Sequence, residues 1–251
     1  LKTMGSVVGV TGVSGCLGRN LLAQLEVDPE IDKVVGIDLA PASARESSSK
    51  LVFRQQSVTE PFDDLFKKHN VDTAIHLAFS LNPDRDRERE RSVNLDGTRQ
   101  FFKACAASDV ETVSLVSSAT VYGASPDGPD INYEASALRA TSAFPYAADK
   151  IKAEEICYDY VKEHPDVCLQ IVRPCLIIGP NTNNYLTRML ERPLILAPMG
   201  AEIPLQFVHE DDATRAVYKL LKLRKTGVFN LAADGALNLS QIAHLTERRV
   251  V

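Results

Sequence analysis

Three glycines at regular spacing, Gly12, Gly15 and Gly18, directly follow an apolar stretch at residues 6–10, and no other feature limits the fold of this chain as tightly. The stretch reads as a short buried strand, and the glycines as a tight turn into a helix. Such a turn lets the backbone approach phosphates closely and aims the free N–H groups of a helix start at negative charge. The helix dipole adds a partial positive charge. The pattern is Gly-x-x-Gly-x-x-Gly, not the commoner Gly-x-Gly-x-x-Gly. A glycine turn often does nothing but turn, so its context matters. Leu21, Leu22 and Leu25 continue at helical spacing. A second strand at 33–37 then ends in Asp38, about twenty residues past Gly18, where an acidic side chain hydrogen-bonds an adenosine ribose. The sequence therefore predicts a dinucleotide cradle.

Beyond the turn, strand-like and helix-like segments alternate, which predicts a doubly wound parallel sheet with helices on both faces. Candidate strands lie at 7–11, 33–38, 51–54, 73–77, 112–117 and 168–172, all short and apolar throughout, as strands buried on both faces are. Candidate helices lie between them at 18–26, 60–69, 91–107 and 144–163. After Pro174 the pattern becomes irregular, with a loop at 180–184 and interruptions at Pro193 and 197–200. A helix at 211–223, a strand at 227–231 and a helix at 240–247 follow. The expected division is a cofactor-binding domain of residues 1–174, to which 207–231 returns, and a small irregular substrate lobe of 175–206 and 232–251.

A chain of 251 residues suffices for one large α/β domain with a small appendage. A net charge of −5 and a charged run at 84–91 whose acids cancel its bases speak against nucleic acid as a partner. The run itself reads either as a solvated helix start or as a substrate loop or subunit contact. No apolar run is long enough to span a membrane, and no secretory signature opens the chain. The five cysteines show no metal-like pairing. They predict reduced thiols in a cytoplasmic protein. Cys16, inside the phosphate turn, is expected to be open to oxidants.

Three further pieces carry chemistry. Ser117 and Ser118 stand at the C-terminal end of a predicted strand, the edge where open α/β sheets bind ligands. Tyr146 and Lys150, four residues apart, share a helix face. Arg173 and Pro174 close the sixth strand. A phenol titrates near pH 10, and a nearby ammonium lowers that value. Tyr146 can then serve as general acid or base, with Ser118 holding the same substrate oxygen. A second such pair, Tyr158 and Lys162, lies twelve residues on, about 18 Å along the helix. It points to the far end and is read as packing.

Taken in order, the glycine run, the segment 117–123, Tyr146 with Lys150, and the segment 207–212 resemble the extended short-chain dehydrogenase/reductase superfamily, in its NAD-dependent epimerase/dehydratase branch. The resemblance runs from about residue 6 to 243 and implies a Rossmann fold. By resemblance, Gly12, Gly15 and Gly18 form the phosphate turn, with Cys16 and Leu17 near the pyrophosphate. Asp38 binds the adenosine ribose, and Ser57 and Val58 lie near the adenine. Leu77, Ala78, Phe79 and Val116 line the cofactor channel, and Pro174 and Cys175 flank the nicotinamide. Ser118 and Tyr146 act on the substrate, while Lys150 binds the nicotinamide ribose and tunes Tyr146. No metal is implied.

The implied cofactor is NAD, since Asp38 would repel a 2′-phosphate; Arg19 and Arg45 are the residues that could offset it. The implied partners are a small-molecule substrate and a second copy, paired through the helices at 91–107 and 144–163. The implied activity is that of an NAD-dependent epimerase or dehydrogenase acting on a secondary alcohol or its ketone, including a nucleotide sugar. A non-catalytic NAD(P)-binding sensor or scaffold is the alternative. Ala119 and Thr120 replace the acidic pair of the dehydratases. Leu176 stands where UDP-sugar enzymes often have asparagine, and Gln206 where they often have arginine. The chain also ends earlier than typical sugar-nucleotide members, which suggests a minimal or truncated lobe.

Overall fold

The computed structural model of the chain describes residues 5–41, 48–80, 86–123, 128–129, 131–141, 143–192, 194–195 and 204–250. Arg45, residues 84–85, Pro193 and 197–200, singled out above, lie outside them. Seven parallel strands form the central sheet: β1 (Ser6–Thr11), β2 (Ile31–Asp38), β3 (Leu51–Gln55), β4 (Thr73–His76), β5 (Thr112–Val116), β6 (Cys168–Pro174) and, much later in the chain, β10 (Gly227–Leu231). Their spatial order is β3-β2-β1-β4-β5-β6-β10. The order reverses direction between β1 and β4, whose register pairs Thr11 with His76. A crevice opens beyond the strand ends at such a reversal.

Each face of the sheet is covered because strand residues pointing to both sides are apolar. On one face Val8, Val10, Val34 and Val172 pack against Leu21 and Leu25 of α1 (Cys16–Val27) and Val217 and Leu221 of α6 (Glu210–Leu223). On the other, Val35, Val113 and Ile171 meet Phe66 of α2 (Asp63–His69), Phe101 of α3 (Arg87–Ala107) and Cys157 of α4 (Pro145–Glu163). Gly9 leaves room for Phe66, whose ring tip would lie 2.5 Å from a Cβ there.

Two helix starts lie three or more residues from expectation. α2 begins at Asp63 rather than 60, after Pro61. α3 begins at Arg87 rather than 91, because Asp86 accepts a hydrogen bond from the Arg89 amide and caps it. The irregular segment also holds short elements with no periodic signal. These are β7 (Leu176–Ile178), paired in parallel with β9 (Phe207–His209), then α5 (Tyr185–Leu190), and β8 (Leu194–Ile195) paired with β11 (Arg249–Val250). The last helix is α7 (Leu239–Leu245). Among the described residues, no helix is long and apolar enough to cross a membrane.

His76 is buried at the sheet's reversal point and stacks on Phe101. The Thr98 hydroxyl donates to the Asn94 carbonyl at 2.6 Å, so its oxygen accepts from His76 Nε2–H at 3.1 Å, and Thr11 donates to Nδ1 at 2.7 Å. Burial, helped by the Lys150 charge, pushes His76 down to about 3. An unfolded chain therefore takes up this proton below pH 6.5 while the folded chain refuses it, and stability falls as pH falls. Between pH 6.5 and 5 the wild type should lose on the order of 1–2 kcal/mol from this group. Urea titrations across that range check it: His76→Gln should flatten the slope, and an unchanged slope would refute the assignment.

Candidate active site

The phosphate turn is shaped by close backbone contacts. Gly12 has φ +75°, and a Cβ there would lie 2.6 Å from the Ala78 amide nitrogen. A Cβ on Gly18 would lie 2.3 Å from the Gly12 carbonyl oxygen, so the helix can approach the turn only without one. The Gly12 amide donates to the Ile37 carbonyl at 2.8 Å, tying the turn to β2. Gly15 precedes α1, and no side chain caps the helix or places an acid in its first turn. Its starting N–H groups thus face an anion site. At the end of β2, Asp38 accepts from the Ser14 amide at 3.0 Å and the Ala40 amide at 2.9 Å, which fixes its carboxylate beside the turn. Arg19 donates to the Ser14 carbonyl at 2.8 Å. The glycine cradle, the uncapped helix start and the fixed carboxylate fit the pyrophosphate and adenosine ribose of NAD.

From this turn a cleft of about 1210 Å³ runs across the carboxyl ends of the strands. Every catalytic or cofactor-binding residue that the resemblance implies lines it: Gly12, Gly15, Cys16, Leu17, Gly18 and Asp38 at one end; Ser57, Val58, Leu77, Ala78 and Phe79 along the wall; Val116, Ser118, Tyr146, Lys150, Pro174 and Cys175 at the other end. Tyr158, on the same helix as Tyr146, is exposed and outside the cleft.

The two serines separate by their partners. Ser117 is buried and donates to Glu154 at 2.5 Å. Ser118 accepts from the Thr120 amide and hydroxyl at 3.2 and 2.9 Å, and its hydroxyl faces the Tyr146 phenol. Loss of hydration pushes Tyr146 up to about 12, with the Ser118 hydrogen bond opposing. Lys150 is pushed down to about 7 by burial, with the Glu154 charge opposing. Its Nζ donates to the Val116 carbonyl at 2.7 Å, lies 3.6 Å from the centre of the Phe79 ring, and is 5.8 Å from the centre of the Tyr146 ring. The sequence expectation that the amine lowers the phenol's pKa is not met. The amine turns towards a carbonyl and an aromatic face, and burial governs the phenol.

Supporting groups were not legible in the sequence. Arg173, one of the three chemical pieces, lies under the site rather than in it: its guanidinium makes two hydrogen bonds to Glu154, at 3.0 and 2.6 Å, and donates to Tyr122 Oη at 2.9 Å. Asp149, fully buried beside Lys150, accepts from Arg87 at 2.8 Å, Asn94 at 3.1 Å and Arg91 at 3.4 Å. The described part of the charged run thus clamps α3 onto the helix that carries Tyr146. Cys16 corrects another expectation. Its thiol lines the cleft but donates to Glu210 at 3.2 Å, and burial with that carboxylate pushes it up to about 12, which disfavours the thiolate that oxidants attack. Glu210 also accepts from Asn181 Nδ2 at 2.6 Å, joining the phosphate turn to the loop after β7.

Comparisons with known proteins agree with this architecture. A model of the NAD dependent epimerase/dehydratase family matches residues 8–232. An uncharacterized protein of Mycobacterium tuberculosis is 32% identical over 241 residues, covering 94% of this chain and 64% of the relative. The chain thus spans just under two thirds of that relative's length. UDP-glucose 4-epimerase of Yersinia pestis is 28% identical over 194 residues, covering 70% of this chain and 55% of that protein. Among solved structures, UDP-N-acetylglucosamine 4-epimerase from Methanobrevibacter ruminantium shares the fold with a TM-score of 0.83 at 19% identity, covering 99% of this chain and 86% of that one. UDP-glucuronic acid 4-epimerase from Bacillus cereus in complex with NAD does so with a TM-score of 0.82 at 19% identity, covering 98% and 87%.

Proposed function

This chain belongs to the NAD dependent epimerase/dehydratase family, and from that premise we propose that it is an NAD-dependent epimerase or dehydrogenase acting on a secondary alcohol or its ketone. One observation carries the reading: Ser118, Tyr146 and Lys150 meet at one end of a cleft whose other end is the glycine turn and Asp38. The turn would hold the pyrophosphate, Asp38 the adenosine ribose, Ser57 and Val58 the adenine side, and Lys150 the nicotinamide ribose. When bound, NAD supplies the acceptor and donor of hydride.

The chain's own residues move the proton. The Tyr146 phenol gives it to a ketone oxygen in the reducing direction, and as phenolate takes it from the carbinol in the oxidising direction. Ser118 donates to the same oxygen and holds it. A protonated Lys150 turned from the Val116 carbonyl towards the phenol would favour the phenolate. An epimerase reduces the ketone again on its other face before release; a dehydrogenase lets the ketone go. A nucleotide sugar, the substrate class in several relatives' names, is one form of this reading. The reading includes a homodimer paired through α3 and α4. It also keeps the division into a cofactor-binding unit of 1–174 with 207–231 and a substrate lobe of 175–206 with 232–251, supported by the return of β10 to the sheet.

Titration of NADH fluorescence tests the proposal. NADH should bind about tenfold or more tightly than NADPH, because a 2′-phosphate would face the Asp38 carboxylate. Asp38→Ala should shrink that preference to about threefold or less. Absence of saturable NADH binding would overturn the reading.

A further inference from the structure

Resting on that reading of the cleft, we propose that the carbinol or ketone of the natural substrate is flanked by an apolar carbon skeleton, alkyl or aryl, rather than by a sugar ring. The argument starts at Tyr146. Its ring lies between two phenylalanines: Phe79 meets it edge-on at 5.7 Å, and Phe144 packs on it at 5.9 Å. Phe144 lines the cleft and is 51% exposed. Leu176 and Ile177 line the cleft as well, from β7. An aromatic ring left half in water beside the reacting oxygen is stabilised when an apolar ligand covers it.

A sugar makes the opposite demand. Each ring hydroxyl that leaves water needs a polar partner. Three of the four polar side chains that line the cleft from the loop after β7, all but Asn183, are already engaged within the protein. Asn181 Nδ2 donates to Glu210, Thr182 donates to the Gly179 carbonyl at 2.7 Å, and Asn184 accepts from the Thr187 amide at 3.0 Å as the cap of α5. Arg87, at the rim, is held by Asp149 and Glu90. Thr120 spends its hydroxyl hydrogen on Ser118. Among the described residues, the donors Ser118 and Tyr146 stand beside the hydrocarbon faces of Phe79 and Phe144.

Calorimetric titration of the full-length protein, saturated with NAD, tests this with two probes. They are 4-phenyl-2-butanone, a ketone that oxidised cofactor cannot reduce, and UDP-glucose. The ketone should bind about tenfold more tightly than UDP-glucose. Phe144→Ser should weaken the ketone about fivefold, and Leu176→Asn about threefold, with NAD affinity within about twofold of wild type. Tighter binding of UDP-glucose, no binding of the ketone, or an unchanged ketone affinity in both variants would overturn the inference while leaving the NAD-dependent reading intact. Failure of NAD itself to bind would instead remove the reading on which the inference stands.

Discussion

Replacing Tyr146 with phenylalanine is expected to cut turnover of a secondary alcohol or its ketone by about a thousandfold, with NADH affinity within about twofold of wild type. The substitution removes one oxygen and keeps the ring, so the packing on Phe79 and Phe144 persists. What is lost, among the described residues, is the acid or base that stands beside Ser118 in the cleft. Lys150 still has the Val116 carbonyl and the Phe79 face. Single-turnover measurements of NADH absorbance separate the chemical step from binding. Because the phenol stands near 12, it is protonated at neutral pH and ready for the reducing direction. The oxidising direction needs the phenolate, so its rate should rise with pH between about 7 and 10, and Tyr146→Phe should abolish that rise. Full activity in the variant would remove Tyr146 from the chemistry.

The second large effect concerns stability. Arg173→Met should cost about 3–5 kcal/mol, because it leaves the Glu154 carboxylate buried with one hydroxyl partner, Ser117. Arg173 and Glu154 are 3% and 1% exposed, so water cannot take over. The matching double variant, Arg173→Met with Glu154→Leu, should recover more than half of the loss, since no orphaned charge remains. Urea unfolding at pH 7 of the wild type, both single variants and the double variant measures this cycle. A single variant that loses less than about 1 kcal/mol would mean that solvent reaches the carboxylate.

The contrast between Arg173 and Gly12 shows what a sequence displays and what it hides. The turn was legible because its demands are local: strand, glycines and helix start follow one another directly, and Asp38 ends the next strand. The parallel strands were legible for the same reason, as short runs of Val, Ile and Leu. The buried polar contacts were not. Arg87 and Asp149 are 62 residues apart, and Cys16 and Glu210 are 194 apart. Alternating charges on α3 look solvated until a buried carboxylate on α4 is placed opposite them. The helical spacing of Tyr146 and Lys150 gave a shared face, but not the direction of the amine. That is set by the Val116 carbonyl and the Phe79 ring, which arrive from β5 and from beyond β4. The β7–β9 and β8–β11 pairs are two or three residues long, too short for any alternation to register.

The position of β10 and α6 bears on how the chain is made. The ribosome delivers β1 to β6 first, and until residue 231 has left the exit tunnel the β6 edge has no neighbour and Leu21 and Leu25 have no Val217 or Leu221 to cover them. A nascent chain in that state presents a bare strand edge and an open greasy helix face at once, the combination that chaperones bind and that aggregates when they do not.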